Sequence, residues 1–193
     1  MKLFDTLLGR TELKKPKTEA LFALSTAYIS LEALGFKPGS VSGICFKPIE
    51  SSRFSELESY LRELLRLSTS ETGATCQFRT DECNYNWVIL SDEDFENLIT
   101  TTHLISETII EHDFEERLLC SIFVFGDVYL IYSYKEGTFY PFAPLDDRKR
   151  DSNLEFRLRS AMEGELPIEE EMEKWYPIWE IPFQGRVLNA AKR

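Results

Sequence analysis

The sequence predicts an α+β fold: a largely antiparallel sheet of about six or seven strands, assembled from repeated β-β-α units with the helices mainly on one face. Three observations predict it. Apolar runs of strand length recur between turn signals from residue 28 to residue 142. Two amphipathic helices each follow a pair of such runs. The stretch from Leu118 to Phe125 is apolar at almost every position, which requires a strand covered on both faces.

Taken in order, Leu3, Phe4, Leu7 and Leu8 recur at helical spacing in a short first helix that stops at Gly9, and a polar connector runs to Lys17. Residues 1–17 therefore read as an appendage with its own apolar face. A helical or extended segment follows from Thr18 to Leu24, then a strand from Tyr28 to Leu34. The Gly-, Pro- and Ser-rich stretch Gly35 to Ser42 reads as a loop before a second strand at Gly43 to Pro48. Between Ser52 and Leu67, Phe54, Leu57, Leu61, Leu64 and Leu65 form an apolar helical stripe. Strands at Ala74 to Thr80 and Tyr85 to Leu90 then precede a long helix that opens at Ser91, where Ser91 and Asp94 have capping-box spacing. Phe95 and Leu98 in this helix echo Phe54 and Leu57, as a duplicated unit would.

Leu118 to Phe125 and Val128 to Tyr134 flank Gly126-Asp127, a two-residue hairpin signal. Lys135-Glu136-Gly137 turns the chain into a third strand, Thr138 to Phe142. Ser152 and Glu155 are spaced as a capping box for a helix from Asn153 to Met162. A single α+β domain thus spans residues 18–164. Residues 165–193 begin acidic and continue as Trp175-Tyr176-Pro177-Ile178-Trp179-Glu180-Ile181-Pro182-Phe183, too apolar to stand in water. That segment either docks on the domain or binds a partner.

At 193 residues, with 43% apolar side chains, the chain can bury roughly 70% of its unfolded surface without disulfide or metal support. Its net charge of −11 disfavours nucleic-acid binding. Residues 1–90 carry 11 basic and 11 acidic groups, whereas residues 91–193 carry 11 basic and 22 acidic, so the excess lies entirely in the second half. No run reaches the roughly 18 apolar residues of a membrane span, and the start lacks a secretory signal. A cytoplasmic location is expected. Cys45 and Cys120 lie in apolar runs and read as buried free thiols, and Cys76 and Cys83 show no metal-ligand spacing.

His103 and His112, nine residues apart on one helix, fall on opposite sides and roughly 13 Å apart along the axis, so they do not share a metal. Asp92, Asp94 and Glu96 sit at a helix start, where the positive end of the dipole stabilises them. No phosphate-binding glycine loop, nucleophile elbow or zinc-helix motif is present, and no catalytic, cofactor or metal residue is assigned. A Cys nucleophile with a His base stays open, because such groups meet only in three dimensions. Arg148-Lys149-Arg150 is the basic cluster, suited to charge pairing within the chain or to an acidic partner.

Several segments together carry a resemblance: Leu3-Phe4-Asp5-Thr6-Leu7-Leu8-Gly9-Arg10, Leu21-Phe22-Ala23-Leu24, Cys45-Phe46-Lys47-Pro48, Asp94-Phe95-Glu96-Asn97-Leu98, Glu116-Arg117-Leu118-Leu119-Cys120, Gly137-Thr138-Phe139-Tyr140-Pro141-Phe142, and Glu165-Leu166-Pro167 with Trp175-Tyr176-Pro177. In that order they resemble the PspA-associated protein family of the B type, over nearly the whole chain. The resemblance implies association with the phage-shock protein A system, whose coiled-coil protein remodels the cytoplasmic membrane, and with a membrane zinc peptidase of the heat-shock type. It implies no catalytic residue.

The expected function is accordingly a non-enzymatic adaptor of a PspA-type envelope-stress response, acting by protein-protein binding. Leu3, Phe4, Leu7 and Leu8 are the candidate docking helix, which would also allow peripheral membrane contact. Arg148, Lys149 and Arg150 are the candidate basic contact to an acidic coiled coil, with Trp175 and Trp179 as aromatic contacts. Two alternatives stand beside it: an enzyme with a Cys- or carboxylate-based site, and a chaperone-like binder of client segments.

Overall fold

The computed structural model describes residues 18–48, 52–69 and 74–183. The candidate docking residues Leu3, Phe4, Leu7 and Leu8 lie outside them. The chain runs through α1 (Leu24–Ala33), β1 (Pro38–Phe46), α2 (Ser52–Thr69), β2 (Thr75–Thr80), β3 (Asn86–Ser91), α3 (Phe95–Glu111), β4 (Leu118–Phe125), β5 (Val128–Ser133), β6 (Thr138–Phe142), the two-residue strands β7 (Pro144–Leu145) and β8 (Lys149–Arg150), and α4 (Ser152–Met162). Strands β1 to β6 form one sheet in the order β2-β3-β1-β4-β5-β6. Every pairing in it is antiparallel, as the α+β reading expects.

The first unit differs from the expected β-β-α order. Tyr28 to Leu34 belongs to a helix, not a strand, because Leu21, Leu24, Ala27 and Leu31 recur at three and four residues and are all buried. Ile29 and Leu34, which made the run look strand-like, are each 57% exposed. The expected loop Gly35 to Ser42 is also half strand, since β1 begins at Pro38. Its glycine marks a close approach: a Cβ on Gly39 would stand 2.8 Å from Val124 Cβ. The β2-β3-α3 unit does follow the expected order.

Both predicted capping boxes shift by a residue or more. Asp94 caps α3, its carboxylate accepting from the amides of Glu96 at 2.9 Å and Asn97 at 3.4 Å, while Ser91 ends β3. Asp151 caps α4 through the Leu154 amide at 3.0 Å, which leaves Glu155 to turn into the interior. The hairpin between β4 and β5 turns on Gly126 at φ 59°, a left-handed position that glycine occupies without Cβ strain.

Alternation along the strands divides the core into two layers. On the inner face Ile44, Phe46, Val88, Leu90, Phe123, Leu130, Tyr132 and Phe139 meet the buried faces of α1, α2, α3 and α4. On the outer face Cys45, Trp87, Ile89, Cys120, Ile122, Tyr129, Ile131, Tyr140 and Phe142 form a second apolar layer. Central β4 is buried on both sides for this reason. Between α3 and the sheet, hydroxyls pair with one another: Ser42 with Thr102 at 3.2 Å, and Tyr134 with both Ser106 and, at 2.6 Å, Ser121.

Candidate functional site

Among the described residues no helix covers the outer layer; residues 167–183 do. After α4, residues 167–169 run along the free edge of β6, where the Phe139 amide donates to Pro167 O at 2.7 Å and the Glu169 amide donates to Phe139 O at 2.8 Å. Pro141 lies in β6, an edge strand, as expected of a residue with no amide hydrogen to give. The chain then crosses the sheet as a strap. Trp175, Ile181 and Phe183 are pressed into the outer layer at 3%, 4% and 2% exposure. The Trp175 indole donates to Glu169 O at 3.0 Å. Phe183 meets Trp87 and Tyr129 edge-on, with ring centroids 6.5 Å apart in each case.

Arg150 fixes the strap to the body. Its Nε donates to Glu155 Oε1 at 2.8 Å, its Nη1 to Trp175 O at 2.8 Å and its Nη2 to Pro141 O at 3.3 Å. The same Glu155 carboxylate accepts from the Ala143 amide at 2.8 Å. One guanidinium therefore joins α4, β6 and the strap, with every group paired in a region where an unpaired charge would cost several kcal/mol. This is the use of Glu155 that the capping-box reading missed.

Between the anchors Trp175 and Ile181, residues 176–180 roof a cavity of about 540 Å³. Its floor is the outer sheet face, including Cys45, Trp87, Cys120 and Tyr140, and its roof includes Pro177, Ile178 and Trp179. The Tyr140 hydroxyl donates to Tyr176 O at 3.1 Å and ties roof to floor. Trp179 also stacks edge-on against Phe142, centroids 5.2 Å apart. At the rim stand Asp81, Lys135, Arg148 and Glu180. Arg148 pairs with Glu180 at 3.3 Å. It is held there by a tight turn in which both Asp147 (φ 60°) and Arg148 (φ 54°) are left-handed without being glycine.

The sequence-predicted residues therefore separate. Arg148 is exposed at the rim and Lys149 is exposed on β8, whereas Arg150 is committed to the internal clamp. Trp179 is half-buried in the cavity roof and Trp175 is fully buried. Asp94 caps α3, and Asp92 accepts from the Asp94 amide at 2.9 Å, so both act locally. His103 packs on Phe22 with centroids 4.3 Å apart, and His112 Nδ1 lies 2.8 Å from Thr108 O at the end of α3. Among the described residues no group of three or more His, Cys, Asp or Glu side chains is arranged to hold a metal ion.

Cys45 and Cys120 face each other across β1 and β4. Hydrogen bonding to Cys120, then burial, pushes the Cys45 thiol far up from its ordinary value, the reverse of what a nucleophilic thiolate needs. All four cysteines are free. The cavity itself was not expected from sequence. Gly43, a glycine inside a run of buried strand residues, signals the close approach of Phe183 beside the cavity and not the cavity itself.

Fold and site define an α+β single-sheet protein, helical on one face and closed on the other by its own aromatic strap over an apolar cavity. Among the described residues no helix is long and apolar enough to cross a membrane. The chain belongs to the PspA associated protein B family, whose model matches residues 1–183. No curated protein and no solved structure gave a match.

Proposed function

We propose that the protein is a non-enzymatic accessory protein of a PspA-type envelope-stress response, working in the cytoplasm by binding a PspA-like coiled-coil protein. The observation that carries this reading is family membership over residues 1–183. Two features support a binding rather than a catalytic role. Arg148 and Lys149 stand exposed on the β7–β8 hairpin, and Arg148 is held against Glu180 of the strap at 3.3 Å. The thiol best placed on a cavity floor, Cys45, is driven toward its neutral form.

In this reading Arg148 and Lys149 contact acidic side chains of the coiled coil, with Trp179 as the adjoining aromatic contact. Leu3, Phe4, Leu7 and Leu8 supply an apolar docking element, which also serves for peripheral membrane contact. A membrane zinc peptidase is the second partner. Arg150 and Trp175 contribute by holding the strap in place rather than by touching the partner.

The test is in-cell crosslinking of the tagged full chain, with recovered proteins identified, beside a variant lacking residues 1–10 and a charge-reversed Arg148→Glu/Lys149→Glu variant. Recovery of a PspA-like protein that falls in both variants, at unchanged melting temperature, is the expected result. Equal recovery by all three would overturn the assignment of the contact, and recovery of neither a PspA-like protein nor the peptidase would overturn the adaptor reading.

A further inference from the structure

The cavity under residues 176–180 has the size of a small-molecule site, which typically spans about 300–1,000 Å³. Its walls are dominated by Trp87, Leu118, Leu119, Tyr140, Ile178 and Trp179. Two polar groups in those walls are already committed: the Trp87 indole donates to Asp81 at 2.8 Å and the Tyr140 hydroxyl to Tyr176 O at 3.1 Å. Among the described residues no buried side-chain nitrogen or oxygen lacks a partner. Against these walls a polar molecule would give up hydration for few hydrogen bonds, whereas an apolar one gives up nothing.

The rim adds a sign. Asp81 already accepts from the Tyr85 amide and the Trp87 indole, both at 2.8 Å, and Glu180 pairs with Arg148 at 3.3 Å. Lys135 has weaker compensation. Its ammonium is 3.8 Å from Glu136, and that carboxylate is also shared with Lys174 at 3.6 Å. With its side chain 86% exposed at the mouth, Lys135 is placed to meet an anionic group whose apolar body lies inside.

We propose that this cavity binds a single-chain amphiphile with an apolar body and an anionic head, of the long-chain carboxylate class. The chain lies between the outer sheet face and the strap, and the carboxylate faces Lys135 at the rim. The site shares Trp179 and the rim residue Arg148 with the partner reading above but does not rest on it, because the chain is held by the sheet face and the underside of the strap.

The test is isothermal titration calorimetry of the full chain with dodecanoate below its micellar concentration. The comparisons are dodecyltrimethylammonium and phosphatidylglycerol vesicles. Saturable binding of one dodecanoate per chain, stronger than that of the cationic analogue, is expected. Leu119→Trp, which fills the cavity, should weaken it about tenfold or more. Lys135→Glu, at an exposed position that folding does not depend on, should weaken it about three- to fivefold for the carboxylate alone. Absence of saturable binding, affinity unchanged in both variants, equal affinity for the cationic chain, or binding to vesicles without binding of free dodecanoate would each overturn the proposal.

Discussion

The ring of Phe183 rests on the backbone of Gly43: a Cβ added to residue 43 would stand 2.4 Å from Phe183 Cε1, closer than two carbons approach without bonding. The contact joins the centre of the sheet to the far end of the strap, and it sets the first prediction. Phe183→Ala should cost about 3–5 kcal/mol in urea denaturation, as for other buried aromatic truncations. Gly43→Ala should cost about 1–3 kcal/mol by displacing the ring. Because both act through one contact, the double variant should lose less than the sum of the two. Additive losses would mean that the ring does not seat on Gly43.

Two neighbouring basic residues should behave in opposite ways. Arg150→Ala strips three hydrogen-bonding partners and leaves Glu155, only 3% exposed, without its ion-pair partner. It should destabilise the fold by about 3–5 kcal/mol. Lys149→Ala, at an exposed position, should change stability by less than about 0.5 kcal/mol. Equal effects would remove the clamp from the account of how the strap is held.

Stability should be level through neutral pH and fall on the alkaline side. Burial pushes the Cys76 thiol from 9.0 up to about 11, and the Tyr129 and Tyr132 hydroxyls from 10.0 up to about 12. Each raised group keeps its proton in the fold after the unfolded chain has released it. Its contribution is therefore complete below the unfolded value and is lost as pH rises, from about 9 to 11 for the thiol and from about 10 to 12 for the phenols. Melting temperatures measured from pH 7 to 12, with phenolate absorbance followed in parallel, check this. A decline beginning below pH 8 would point to other groups.

Thiol labelling near pH 7.5 should show one fast cysteine, Cys83, which is exposed. Cys76 should follow slowly, and Cys45 and Cys120, at 4% and 6% exposure, should wait for unfolding. Phe183→Ala, by loosening the strap above them, should accelerate that pair selectively. A fast-labelling Cys45 in the native protein would revive the thiol-enzyme alternative.

Strand and helix periodicity made much of the fold legible. Leu118 to Phe125, the Gly126 hairpin and the apolar stripe of α2 each carry a pattern that one element alone satisfies. Tyr28 to Leu34 misled because Tyr28 and Ile29 are bulky and strand-favouring, while the pattern that decided the helix starts earlier, at Leu21. The caps slipped because Asp94 and Asp151 are themselves good capping residues close to the serines, and only backbone geometry decides where each helix starts. The Arg150–Glu155 pair, five residues apart, had no signature, since its meaning comes from Trp175 and Pro141, which the chain brings in from other elements. The strap's apolar composition was plain in the sequence. That it leaves a cavity under residues 176–180 depends on how far the backbone stands off the sheet, which composition does not encode.

The dependence of the outer layer on residues 175–183 also orders events during synthesis. Helices and strands up to α4 can assemble as they emerge from the ribosome, yet Trp87, Ile122, Ile131 and Phe142 remain bare until Trp175, Ile181 and Phe183 have been translated and released. A nascent chain halted short of the strap presents a flat, sticky β surface to its surroundings. Residues 175–183 thus close the outer layer only after the body that they cover has been made, and a pause in translation just upstream of them prolongs its exposure to aggregation.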